Sequence, residues 1–209
     1  SAEAAQRIRA HLGAQFDGAI HFVPTGTMAN LVSIASCLRP HEAVIAVASG
    51  HIVGKETGAI EATGHKIIVV PPVNGKLTPQ NIETALAGNA HFPHMARPRL
   101  LYVSNATETG TVYTLAELQA ISALAKQRGL ILFIDGARLG AALASSKNDA
   151  TLADIAALAD IFWIGGTKLG ALLGEAIVVS NPALKQDFAF HIKQRGGLLA
   201  KGRLLGIQF

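Results

Sequence analysis

One cysteine in 209 residues, Cys37, leaves no possibility of an internal disulfide. It lies within the apolar run 31–38, so it reads as a small core residue rather than a nucleophile, and a reducing cytoplasmic setting is expected. Charge is scarce. Only 15% of residues are charged, and 18 Lys+Arg against 14 Asp+Glu leave a formal net charge of +4 with the bases scattered. Aromatics are scarcer still at 5%, so no basic face interleaved with stacking rings is readable and no nucleic-acid partner is expected. No apolar run reaches the ~18 residues of a membrane span, so no membrane partner is expected either. The eight histidines show no metal-ligand spacing: His41-Glu42 is followed by Ala43-Val44-Ile45, which breaks HExxH, and no metal is expected. No GxGxxG follows the first apolar run and no P-loop lysine motif occurs, which disfavours a nicotinamide oxidoreductase or a P-loop nucleotide binder.

Half of the residues are hydrophobic, and the mean hydropathy of +0.35 suggests strands buried on both faces. Seven short runs read as such strands: Ala19-Val23, Ala43-Val47, Lys66-Val70, Arg99-Val103, Leu130-Ile134, Asp160-Ile164 and Glu175-Val179. Helical periodicity fills the gaps at Met28-Leu38, Thr78-Leu86, Leu115-Arg128 and Leu152-Leu158. This alternation predicts an α/β fold, a three-layer α/β/α domain around a mainly parallel seven-stranded sheet. Only about ten residues separate Ile164 from Glu175, too few for a crossover helix, so the strand 175–179 is expected to run antiparallel. Pro71-Pro72, Asn74-Gly75 and the stretch 88–98 read as loops. No repeat, low-complexity tract or linker interrupts the chain, so residues 1–209 read as one domain. Helical patterns at both ends, Ser1 to Leu12 and Leu204 to Phe209, lack capping residues, and a longer native polypeptide is expected.

In open α/β sheets ligands bind beyond the carboxyl ends of the strands, and the residues there are chemically loaded. Pro24-Thr25-Gly26-Thr27 opens a helix, and its free N–H groups make an anion site. Simple helix capping would use the same groups. Ser49-Gly50-His51 follows the second run, and Ser104 to Gly110, carrying Glu108, follows the fourth. Asp135-Gly136-Ala137-Arg138 follows the fifth, and Lys168 stands in the small-residue turn Gly165-Gly166-Thr167-Lys168-Leu169-Gly170 after the sixth. An amine and a carboxylate at neighbouring strand ends are what pyridoxal 5'-phosphate demands: a Schiff-base lysine and a partner for the pyridinium nitrogen. Each residue also has a plainer reading. Lys168 and Glu108 could be solvated, Asp135 could cap the segment that begins at Gly136, His51 could be a polar loop histidine, and Arg138 could pair with a neighbouring carboxylate.

Taken together and in order, Gly26-Thr27-Met28-Ala29-Asn30, His51, Thr107-Glu108-Thr109-Gly110, Asp135-Gly136-Ala137-Arg138 and the Lys168 turn make the chain resemble the threonine aldolase and β-eliminating lyase group of fold-type I pyridoxal-phosphate enzymes. The resemblance implies that Gly26 and Thr27 hold the cofactor phosphate, that His51 stacks on the pyridine ring, and that Asp135 faces its nitrogen. It implies further that Lys168 tethers the cofactor and that Arg138 holds the substrate carboxylate. The group's N-terminal segment and C-terminal small domain lie outside these residues, and with them a second carboxylate-binding arginine. Where typical threonine aldolases carry a histidine that can touch the substrate hydroxyl, this chain has Glu108. The activity implied is retro-aldol cleavage of a β-hydroxy amino acid to glycine and an aldehyde. His51, Glu108 and the released Lys168 amine remain alternative bases. A small amino acid substrate and a homodimer or homotetramer are the implied partners. β-Elimination, aminotransfer or a catalytically inert scaffold are the alternatives.

Overall fold

The computed structural model describes residues 1–209. Seven strands form one sheet: β1 (Ala19–Val23), β2 (Glu42–Val47), β3 (Lys66–Val70), β4 (Arg97–Ser104), β5 (Ile131–Asp135), β6 (Ile161–Gly165) and β7 (Glu175–Val179), in the order β1-β7-β6-β5-β4-β2-β3. The helices are α1 (Ala2–Arg9), α2 (Gly26–Cys37), α3 (His51–Gly54), α4 (Pro79–Gly88) and α5 (Leu115–Arg128), followed by α6 (Leu139–Leu143), α7 (Leu152–Leu158), α8 (Pro182–Lys185), α9 (Phe188–Gln194) and α10 (Arg203–Ile207). β7 is antiparallel to both β1 and β6, and the remaining pairs are parallel. The short connection between β6 and β7 thus did what its length predicts. No helix is long and apolar enough to cross a membrane.

Two hydrophobic layers sandwich the sheet, and the period-2 pleat divides each strand between them. Ile45, Leu101, Val103, Leu132, Ile134, Phe162 and Val178 pack toward α4, α5 and α7. Their strand neighbours Val44, Ala46, Leu100, Tyr102, Ile131, Phe133, Trp163 and Ile177 pack toward α2, α3 and α9. Every residue of β2, β5 and β7 is buried, which is why these strands read as near-continuous apolar runs. Cys37 sits partly buried against the α2 layer, and desolvation pushes its thiol up to about 12, so it is not a nucleophile.

Local chemistry sets the helix ends. Thr78 with Asn81, Thr114 with Glu117 and Thr151 with Asp154 close capping boxes at α4, α5 and α7. The expectation of an uncapped first helix is corrected: the Ser1 hydroxyl accepts from Ala4 N at 3.3 Å and caps α1.

Parity also aims the site. Asp135 lies two residues beyond Phe133, and Ser104 two beyond Tyr102, so both point to the α2 side at the carboxyl edge of the sheet. β7 runs the other way, so its first residue, Glu175, reaches that same edge between Val23 and Gly165.

Candidate active site

At the carboxyl edge, Thr25 is the N-cap of α2: its hydroxyl accepts from Met28 N at 3.2 Å. Gly26 and Thr27 have no carbonyl four residues back within the helix, so their N–H groups are free to meet an anion at the positive end of a twelve-residue dipole. Glycine is required at 26, because a Cβ there would lie 2.8 Å from Trp163 Cη2.

Asp135 is buried and accepts three hydrogen bonds. Its Oδ1 takes Ala137 N at 2.9 Å, while Oδ2 takes Asn30 Nδ2 at 3.0 Å and the Tyr102 hydroxyl at 2.5 Å. The cap reading is corrected: α6 begins at Leu139 with Arg138 at its N-cap, so Oδ1 closes a local turn onto Ala137 and caps no helix, while Oδ2 faces the buried layer. Burial and then the nearby Asp135 charge raise Tyr102 well above the ordinary phenol range, so it remains a donor. A carboxylate offers about four acceptor positions, so one is left for a protonated ring nitrogen.

Asn30 is the hub of the buried layer. Its Nδ2 also donates to Glu56 Oε1 at 2.6 Å, and its Oδ1 accepts from Trp163 Nε1 at 3.0 Å. Glu56 Oε1 in turn lies 2.8 Å from His51 Nδ1. The Glu56 side chain is fully buried and its Oε2 has no partner; burial raises its carboxyl above the ordinary range, against the pull of His51 and Asn30. His51 is half-exposed in the wall of the same cavity.

Glu108 is not the solvated loop acid that sequence alone allows. It is half-buried, and its Oε1 accepts from His51 N at 3.0 Å and from Ser104 Oγ at 2.7 Å, so it caps the short helix α3. Lys168 is exposed on the turn after β6 and joins no ion pair. That turn is pinned by Glu175, whose Oε2 accepts from Gly166 N at 2.8 Å. Burial raises the Glu175 carboxyl, offset by the Gly166 and Thr167 donors. Arg138 also joins no ion pair, so the neighbouring-carboxylate reading fails and its guanidinium is free to meet a ligand.

All seven residues expected from sequence, Gly26, Thr27, His51, Glu108, Asp135, Arg138 and Lys168, line one cavity of about 180 Å³. Asn30, Glu56, Trp163 and Glu175, for which the sequence alone indicates no role, line it too. Glu175 was within reach: an antiparallel β7 places its first residue at the ligand edge. Glu56 carried no signal, since its contact with Asn30 spans 26 residues and depends on how α2 packs. Of the lining residues only Ala137 and Trp163 are hydrophobic. An anion cradle, a buried acceptor and an accessible amine around one space match a phosphorylated aldehyde with a basic ring nitrogen.

The beta-eliminating lyase family model matches residues 2–206. This chain belongs to that family. The low specificity L-threonine aldolase of Pseudomonas aeruginosa is 37% identical over 191 residues, 90% of this chain and 55% of that protein. The solved structure of Leishmania major threonine aldolase is 54% identical, with a TM-score of 0.96 over 99% of this chain and 60% of that one. Cystalysin from Treponema denticola, 17% identical, superposes with a TM-score of 0.73 over 99% of this chain and 55% of that one, a likeness of fold alone. The chain thus spans little more than half the length of the relatives it matches.

Proposed function

We propose that this chain is the cofactor-binding large domain of a pyridoxal 5'-phosphate-dependent aldehyde-lyase that cleaves a threonine-like β-hydroxy amino acid to glycine and an aldehyde. The observation that carries the reading is one cavity, in a chain of the beta-eliminating lyase family, that joins the α2 N-terminus, the Asp135 carboxylate and the Lys168 amine. The threonine aldolases among its relatives favour retro-aldol cleavage over β-elimination or aminotransfer. When bound, pyridoxal phosphate supplies an electron sink for the pair released from a broken bond at Cα.

The chain's own residues supply the rest. Gly26 and Thr27 N–H groups, with the Thr25 and Thr27 hydroxyls, hold the phosphate. Lys168, the exposed amine on the turn after β6, would be the residue that tethers the cofactor through its aldehyde. Asp135, already ordered by three donors, keeps the ring nitrogen protonated with no further reorganisation. Arg138 orients the substrate carboxylate. The base that takes the hydroxyl proton is His51 rather than Glu108: His51 Nε2 has no partner and is not buried, whereas Glu108 Oε1 already accepts two bonds and its Oε2 is buried. Four carboxylates line the cavity, Glu56, Glu108, Asp135 and Glu175, so a neutral substrate side chain is favoured over an acidic one.

Threonine and pyridoxal phosphate supplied to the purified protein should yield glycine and acetaldehyde, with a visible absorption band in the protein fraction. A colourless protein that takes up no cofactor would refute the reading. Self-association is part of the proposal: Leu169 and Leu172 on the Lys168 turn, and Leu204 and Ile207 on α10, are exposed apolar residues that a second copy would cover. Light scattering that returns a monomer mass would remove that part.

A further inference from the structure

We infer that Asn30 and Glu56 act in series to lock His51 in the tautomer that carries its proton on Nδ1, leaving Nε2 as the acceptor that faces the substrate. The proposed function enters only in the last step, the use of that lone pair. The lock begins at Trp163, whose indole N–H can only donate. Its partner in Asn30 must be the carbonyl oxygen, and that assignment places the Asn30 amide N–H groups against Glu56 and Asp135. The two carboxylates demand the same orientation independently, so the amide has one setting.

Glu56 is thereby constrained as well. The oxygen that receives Asn30 Nδ2 at 2.6 Å is the same Oε1 that meets His51 Nδ1. An oxygen engaged by an amide donor in this way is the anionic or carbonyl-type oxygen, and a proton on this carboxyl belongs on the unpartnered Oε2. Oε1 is then an acceptor toward His51 too, so Nδ1 must carry the hydrogen. Neutral imidazole holds one N–H, which leaves Nε2 with its lone pair toward the cavity. A second bond fixes the backbone end of the same residue, because Glu108 accepts from His51 N. Glu56 is a positioning residue: its Oε1 is taken up by Asn30 Nδ2 and His51 Nδ1, and it acts through the imidazole. When His51 takes the substrate hydroxyl proton on Nε2, the resulting imidazolium stays paired with Glu56.

The direct test is the ¹⁵N spectrum of the His51 ring in histidine-labelled protein, assigned by loss of its signals in His51→Asn. The wild type should show a protonated Nδ1 and an unprotonated Nε2. Glu56→Gln should preserve that pattern, since Asn30 still dictates that the Gln oxygen faces inward. Glu56→Ala, or Glu56→Asp should the alanine variant not fold, withdraws the acceptor and should shift the proton to Nε2. In threonine cleavage, Glu56→Ala or Glu56→Asp should lower kcat by on the order of 100-fold with KM little changed, and Glu56→Gln by less. A wild-type ring protonated on Nε2, or an unchanged ring spectrum in Glu56→Ala and Glu56→Asp, would overturn the inference. An Nδ1-protonated wild type without threonine cleavage would support the lock and sink the lyase reading instead.

Discussion

Asp135 shows how much a single carboxylate can be asked to do, and it makes the conservative amide substitution informative. Both of its oxygens accept, from Ala137 N, Asn30 Nδ2 and the Tyr102 hydroxyl, so Asp135→Asn sets an amide N–H₂ against one of these donors. A buried donor left without an acceptor costs about 1–3 kcal/mol. The variant is therefore expected to lose several degrees in Tm as well as turnover, which thermal denaturation alongside kinetics would show. Unchanged Tm with lost turnover would mean that the hydrogen-bond set repairs itself. Two of the three base candidates, His51 and Glu108, separate in the same way. His51→Asn should lower kcat for threonine by on the order of 100-fold, whereas Glu108→Gln keeps its acceptor oxygen for His51 N and Ser104 and should cost little. The reverse ranking in steady-state kinetics would move the base to Glu108.

Among the elements, the β5–β6 junction carries the tightest constraint. A Cβ on Gly136 would stand 1.6 Å from the Trp163 carbonyl oxygen, and the Gly136 carbonyl accepts from Gly165 N at 2.9 Å. Gly136→Ala must push the two strands apart at the point where Asp135 and the Lys168 turn meet. Soluble, cofactor-binding Gly136→Ala protein would contradict the geometry; aggregation or a loss above about 3 kcal/mol is the expected outcome. This junction also marks where sequence reading stops. β1, β3, β7, α5 and α7 fall on the residues that periodicity predicts, because their apolar patterns answer to a sheet buried on both sides. α2 begins at Gly26, two residues before its apolar pattern, because Thr25 supplies the cap. The strand-end residues Asp135, Lys168 and His51 were legible because the fold rule places ligands there. Asn30 and Glu56 were not: a polar residue inside a helix pattern and an acid after a four-residue helix gain meaning only from packing.

For the molecule as a whole, two buried carboxyls tie stability to pH. Glu56 and Glu175 hold protons more tightly folded than unfolded, in both cases chiefly through desolvation. The folded state therefore binds more protons, and the stability this confers at low pH is lost as pH rises from about 4.5 through the folded values. Glu175→Gln removes one such group, so its Tm should rise relative to wild type as pH increases across that window. A Tm difference independent of pH would contradict the burial argument. The proposed chemistry of the whole molecule depends on the tethering of an aldehyde cofactor through one lysine of the cavity. Borohydride reduction of the protein after incubation with pyridoxal phosphate, followed by peptide mass mapping, tests it most directly. A single pyridoxyl label on Lys168 is expected, and none in Lys168→Ala, which should fold normally because the side chain is exposed and joins no ion pair. A label on Lys55, Lys66 or Lys201, or an undiminished label in Lys168→Ala, would contradict it.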